Sequence, residues 1–163
     1  MNFKSKYFKK NDEYYTSLDT WKMIVPFIPK DFILWESFFS KNSKSAEYLR
    51  QLGFQVISED VDFYTYNLGN IIVSNPPFSD LKNIMKRLFI LEKPFLIIVP
   101  ISKLCCKYMS PFKGKLQIII PKSRINFIKC NENGDIIKQK NTSNFDSIFL
   151  CYKIGLDNDI VFL

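Results

Sequence analysis

An apolar run that ends in two prolines is the feature that most restricts how this chain can fold. Asn70-Ile71-Ile72-Val73 has the length and the β-branched side chains of a buried strand, and Ser74-Asn75-Pro76-Pro77-Phe78-Ser79 follows it directly. Two prolines cannot continue a central strand, because each lacks the N–H that a ladder needs and holds φ at about −65°. Beyond them Leu81, Ile84, Met85, Leu88 and Phe89 recur at i, i+3, i+4, i+7 and i+8, with Lys82, Lys86 and Arg87 between them. That spacing is the stripe of an amphipathic helix docked on a sheet. Phe95-Leu96-Ile97-Ile98-Val99 then reads as a central strand. Residues 70–99 therefore predict a strand–turn–helix–strand unit, whose two strands must be parallel.

The same alternation occurs earlier. Phe32-Ile33-Leu34-Trp35 reads as a strand, Ser45 to Leu52 as a short helix stopped by Gly53, and Phe54-Gln55-Val56-Ile57 as a further strand. Leu116 to Ile120, Asn126 to Cys130, Asp135 to Lys138 and Ser147 to Tyr152 read as later strands, with Asn133-Gly134 as a hairpin turn. Strands that alternate with helices predict an α/β fold with a parallel sheet, and the consecutive strands at the end predict an antiparallel edge. With 163 residues and no internal repeat, the expected organisation is a basic N-terminal tail, 1–13, and a single domain, 14–163. No apolar run approaches the roughly 20 residues of a membrane span. Cysteines at 105, 106, 130 and 151 form no CxxC pair and follow no signal peptide, which predicts reduced thiols and a cytoplasmic location.

Composition then excludes several chemistries. The chain has no histidine, so it holds no Ser-His-Asp or Cys-His pair, no histidine base and no His-containing metal site. Among its five glycines neither GxxxxGK[ST] nor GxGxxG occurs. A net charge of +7 favours polyanionic partners. Any reaction must rest on positioning, carboxylates, amides and aromatic rings.

A parallel sheet presents its working groups at the carboxyl ends of its strands. There the Asn75 side chain and the Pro76 carbonyl can project together, with Pro77 fixing the turn. An amide oxygen beside a backbone carbonyl makes a double acceptor suited to a planar amino group, and Phe78 adds a flat apolar face.

Asn75-Pro76-Pro77-Phe78 in this setting resembles the Asn/Asp-Pro-Pro-aromatic motif of S-adenosylmethionine-dependent amino-methyltransferases, chiefly the N6-adenine enzymes. Tyr14-Tyr15-Thr16 before a helical segment (Thr20 to Phe27) resembles their N-terminal cofactor segment, with Ser17 where a proline is usual. Trp35-Glu36-Ser37-Phe38 is similar to the acidic stretch that closes the first strand, and Asp60-Val61-Asp62-Phe63 to the element around the cofactor adenine. Arg124-Ile125-Asn126-Phe127 and Asn144-Phe145-Asp146-Ser147 resemble segments of small phage and viral DNA adenine methyltransferases. The family carries glycines after the first strand, whereas residues 38–46 here contain none.

The resemblance implies a Rossmann-like class I methyltransferase fold, with a mostly parallel central sheet and antiparallel C-terminal edge strands. It implies S-adenosylmethionine as cofactor, no metal, and methyl transfer to the N6 amino group of adenine in DNA. RNA adenosine, a protein amide, and a catalytically silent nucleic-acid-binding or heterodimer subunit stay open. The implied catalytic residues are Asn75, Pro76, Pro77 and Phe78. Those implied at the cofactor are Tyr15, Thr16, Glu36, Phe38, Glu59, Asp60, Asp62, Phe63 and Asn75, with Glu59 and Asp60 as alternatives for the ribose. Phe78, Ser79, Arg124 and Phe127 are implied at the substrate, Phe78 on one face of a flipped-out base and Phe127 on the other. Lys41, Lys44, Lys82, Lys86, Arg87, Lys122, Lys129, Lys138 and Lys140 are candidate phosphate contacts, and the 131–141 hairpin that bears Lys138 and Lys140 is a candidate to reach along the substrate.

Overall fold

The computed structural model describes residues 14–40, 43–129 and 145–163. The strands are β1 (Tyr14–Tyr15), β2 (Ile33–Trp35), β3 (Gln55–Ile57), β4 (Ile71–Ser74), β5 (Phe95–Pro100), β6 (Leu116–Ile120), β7 (Ile128–Lys129), β8 (Ser147–Tyr152) and β9 (Ile160–Phe162). The helices are α1 (Leu18–Lys22), α2 (Ser45–Gln51) and α3 (Leu81–Leu91), joined by 3-10 turns.

Seven strands form one sheet in the order β3-β2-β4-β5-β8-β6-β9. β3, β2, β4 and β5 pair parallel, and so do β6 and β9. β8 runs against both β5 and β6. This is the expected Rossmann-like α/β class, with antiparallel pairing confined to the C-terminal part of the sheet.

The continuous apolar runs are explained by layers on both faces. Ile72, Phe95, Ile97, Val99 and Leu150 pack with Ile84, Met85 and Leu88 of α3. Their neighbours Ile71, Val73, Leu96, Ile98 and Phe149 pack with Trp21 of α1 and Leu49 of α2. Successive strand residues point to opposite faces, so a strand covered on both sides must be apolar throughout.

Two expectations change. Of the strand expected over 126–130, the described residues form Ile128–Lys129, which pairs with β1 instead of joining the main sheet. β9 was not anticipated, because three residues are too few for a periodic signal. The basic tail, the Asn133-Gly134 turn and the strand at 135–138 lie outside the described residues.

One glycine fixes the approach to the sheet. Gly69 takes φ +64°, and a Cβ there would lie 2.7 Å from the Ile33 carbonyl oxygen. That clearance lets Asn70 N–H reach Ile33 O at 2.7 Å, while Asn70 Oδ1 accepts from Ile33 N–H at 2.8 Å. β4 thus enters the sheet locked beside β2.

Candidate active site

From β2 the chain crosses to β3 on one side, and from β4 to β5 on the other. This switch of direction opens a crevice at the carboxyl ends of β2 and β4. Glu36 follows β2, and Asn75 follows β4.

Glu36 is 4% exposed. Ser74 Oγ donates to its Oε1 at 2.7 Å, and Ser58 Oγ donates to its Oε2 at 3.1 Å. Burial pushes its pKa above the ordinary 4.5, while Ser74, Ser58 and the Phe38 backbone oppose that shift. Burial favours the neutral acid and the hydroxyl donors favour the carboxylate, so a cation brought beside the group would tip it to the ionised form.

Asn75 Nδ2 donates to the Tyr14 carbonyl at 3.3 Å. The reverse orientation would set two oxygens against each other, so the bond fixes which way the amide points. Its Oδ1 is buried with no partner among the described residues. Pro76 and Pro77 are buried behind it, and Pro77 O accepts from Asp80 N–H at 3.1 Å as the turn into α3 begins. Ser79 is exposed in that turn.

Phe78 is half-buried in a cluster of rings. It meets Phe145 edge to face at 5.3 Å and Phe127 at 6.3 Å and 73°. Tyr14 touches Phe127 at 6.0 Å and Phe145 at 5.8 Å. The structure thus brings Phe78 and Phe127 together, as an edge-to-face pair and not as two parallel plates. The Arg124 guanidinium pairs with Asp146 at 2.9 Å, which ties the segment before Phe127 to the approach of β8.

The loop after β3 is tied to the same turn. Tyr64 O–H donates to Asp80 Oδ2, and Asn83 Nδ2 donates to Asp80 Oδ1 at 2.7 Å. Asp62 accepts from Tyr64 N–H and from Thr65 Oγ1, each at 3.0 Å, so both its oxygens brace the loop. Phe63 has no exposed surface and packs against Phe38 at 4.8 Å and Trp35 at 5.6 Å. Phe63 and the 4%-exposed Phe38 are core residues under the crevice, with no ring face open to a ligand. Glu59 and Asp60 are exposed at the end of β3.

On the other flank Tyr15 OH lies 3.5 Å from Ser40 Oγ. Ser17 caps α1 by accepting from Thr20 N–H, at φ −75°, a value that the usual proline would also adopt. Thr16 is buried, and its Oγ1 has no partner among the described residues. The same holds for Ser37 Oγ and for Ser147 Oγ, where Ser147 pairs with Pro100 at the end of β5. Thr16, Ser37, Asn75 and Ser147 thus each bring to this edge of the sheet a buried polar atom with no partner among the described residues, a condition that Trp21, Trp35 and Arg87 share. Such an atom costs about 1–3 kcal/mol while it stays unpaired, which makes the four at this edge candidates for contact with a ligand.

Sequence reasoning missed Ser74, Ser58, the Tyr14 carbonyl and the ring of Phe145. Only Ser74, the polar residue that ends the apolar strand next to Asn75, carried a local signal. Among the described residues no three His, Cys, Asp or Glu side chains converge as metal ligands. No described helix is long and apolar enough to cross a membrane.

No family model matches the chain, and no curated protein matches it. In the solved structures it is similar to the tRNA (m1A58) methyltransferase TrmI from Aquifex aeolicus, at TM-score 0.43 and 11% identity, over 89% of this chain and 71% of that one. It is also similar to precorrin-6y C5,15-methyltransferase from Geobacter metallireducens GS-15, at TM-score 0.40 and 11% identity, over 90% of this chain and 98% of that one. Neither likeness carries an argument about substrate.

Proposed function

We propose that this chain is an S-adenosylmethionine-dependent methyltransferase acting on the N6 amino group of adenine in DNA. The observation that supports it most directly is the Asn75 amide, oriented through Nδ2 by Tyr14 and left with a buried Oδ1 that has no partner among the described residues. An oriented acceptor of this kind suits a planar amino group. A bond from that group to Asn75 Oδ1, and a second to the Pro76 carbonyl, would draw the nitrogen lone pair out of the ring. Half-buried Phe78, in contact with Phe145 and Phe127, offers apolar surface for the base.

The donor set fits the cofactor. Glu36 suits the ammonium of its amino-acid part, the buried hydroxyls of Thr16 and Ser37, without partners among the described residues, suit its polar groups, and exposed Glu59 or Asp60 suits its ribose. When bound, it supplies an electrophilic methyl group on a sulfonium. The chain's own contribution is alignment and exclusion of water, which needs no histidine base. DNA is placed ahead of RNA on the resemblance to small phage and viral DNA enzymes.

The test is to incubate the protein with labelled S-adenosylmethionine and to separate DNA, RNA and protein acceptors. Label is expected at N6 of adenine in DNA, and Asn75→Ala should abolish transfer while calorimetry shows cofactor affinity retained. Label in no acceptor together with no cofactor binding would refute the enzyme reading. Full activity in Asn75→Ala would show that the catalytic residues are elsewhere.

A further inference from the structure

Behind the catalytic turn, the outer face of α3 carries a groove for which the proposed reaction has no use. It lies between α3 and the segment formed by Cys106 and the 3-10 turn Lys107–Phe112, with a volume of about 740 Å³. Leu81, Ile84, Met85 and Leu88 of α3 face the core, yet the apolar stripe continues outward through Phe89 and Ile90, which are 41% and 70% exposed. Phe89 stands edge to face against Phe112 at 5.7 Å, which holds its ring as a wall of the groove. Pro111 and Tyr108 line the opposite side. Lys82, Lys86 and Lys107 also line it, and no Asp or Glu does.

An apolar floor with three cations and no anion selects an occupant that is apolar on one side and acidic on the other. Nucleic acid matches the charge but not the floor, because its interfaces are polar and stacking needs an open ring face. Lys82 and Lys86, at i and i+4, lie on one side of the helix, so the positive charge runs along the groove.

We propose that this groove docks an acidic amphipathic helix of a partner protein. Apolar side chains at helical spacing would fill the space over Phe89 and Ile90, and flanking carboxylates would meet the three lysines. The occupant would sit on the helix that Asn75-Pro76-Pro77-Phe78 leads into and would leave the crevice between β2 and β4 open.

The test is selection of a displayed random-peptide library on the wild-type protein, with counter-selection on Ile90→Glu. Enriched sequences should carry Asp or Glu beside apolar residues at i, i+3 and i+4. A synthetic copy should bind Ile90→Glu and Lys86→Glu at least about tenfold more weakly than wild type. Its affinity should also fall as salt rises. Both positions are exposed, so unchanged thermal melts verify the fold of the variants. Failure to enrich any acidic sequence, or equal affinity for Ile90→Glu, overturns the proposal. Binding of a single-stranded oligonucleotide, or self-association in sedimentation, that is lost in Ile90→Glu also overturns it and assigns the groove to nucleic acid or to a second copy.

Discussion

The bond between Ser74 and Glu36 joins the two halves of the crevice, and Ser74→Ala isolates it. Ser74 is wholly buried, and the substitution removes one oxygen while leaving the strand packing in place. A hydrogen bond to a charged group contributes about 1.5–3 kcal/mol and one to a neutral group about 0.5–1.5 kcal/mol. Ser58 still donates to the other carboxylate oxygen at 3.1 Å, so the variant should fold. Burial raises the pKa of Glu36 above 4.5. Between 4.5 and that raised value the folded protein holds a proton that the unfolded chain has lost, so stability falls as pH rises through the interval. Ser74 is the largest influence opposing the shift, and its removal raises the pKa further. The loss should therefore be small where Glu36 is neutral in both proteins and complete where both are ionised. Urea unfolding compared across the Glu36 titration should show a deficit that grows by about 1 kcal/mol from its acid to its alkaline side. On the alkaline side the full loss corresponds to a melting point lower by about 3–12 °C for a domain of this size. A deficit that is constant with pH, or below about 0.5 kcal/mol throughout, would refute the view that a buried anionic Glu36 depends on Ser74.

Gly69→Ala forces a Cβ to within 2.7 Å of the Ile33 carbonyl at φ +64° and should cost about 2 kcal/mol or more in urea unfolding. Phe78→Ala should weaken capture of an adenine-containing oligonucleotide by about 1–3 kcal/mol in a fluorescence titration, with cofactor affinity unchanged. Ser37→Ala removes a buried hydroxyl that has no partner among the described residues, so stability should hold or rise by about 1 kcal/mol while affinity for S-adenosylmethionine falls in calorimetry. If that affinity is unchanged, the hydroxyl lies outside the cofactor site.

The parts of the fold that the sequence made legible are those specified by neighbours in the chain. Ile71–Ser74, Leu81–Leu91 and Phe95–Pro100 follow from local apolar period and from two prolines. β1 and β7 were not legible as a pair, because Tyr14 meets Lys129 and Tyr15 meets Ile128 only through the tertiary fold. The same distance in sequence hid the ring of Phe145 from Phe78, and Ser74 from Glu36. Phe63 shows the converse. Its place beside Asp62 suggested a ligand-facing ring, yet contacts with Trp35 and Phe38 bury it completely. A neighbour in sequence shares a loop, but not necessarily a surface.

The loop after Glu36 lacks glycine, and its described residues turn without one. Glycine is indispensable where φ is positive or where a Cβ would collide, as at Gly69. None of the described residues 36–40 and 43–45 has a positive φ. The loop turns by another route: Ser40 O accepts from Ser43 N–H at 2.9 Å, and Ser43 Oγ accepts from Ser45 N–H at 3.3 Å, which gives the start of α2 a partner. Where a glycine loop offers bare backbone N–H groups to a ligand, this one offers hydroxyls, including the Oγ of Ser37, which has no partner among the described residues. A polar ligand in this crevice would then be recognised chiefly by side chains, so single substitutions should reveal its contacts in a way that backbone recognition does not allow.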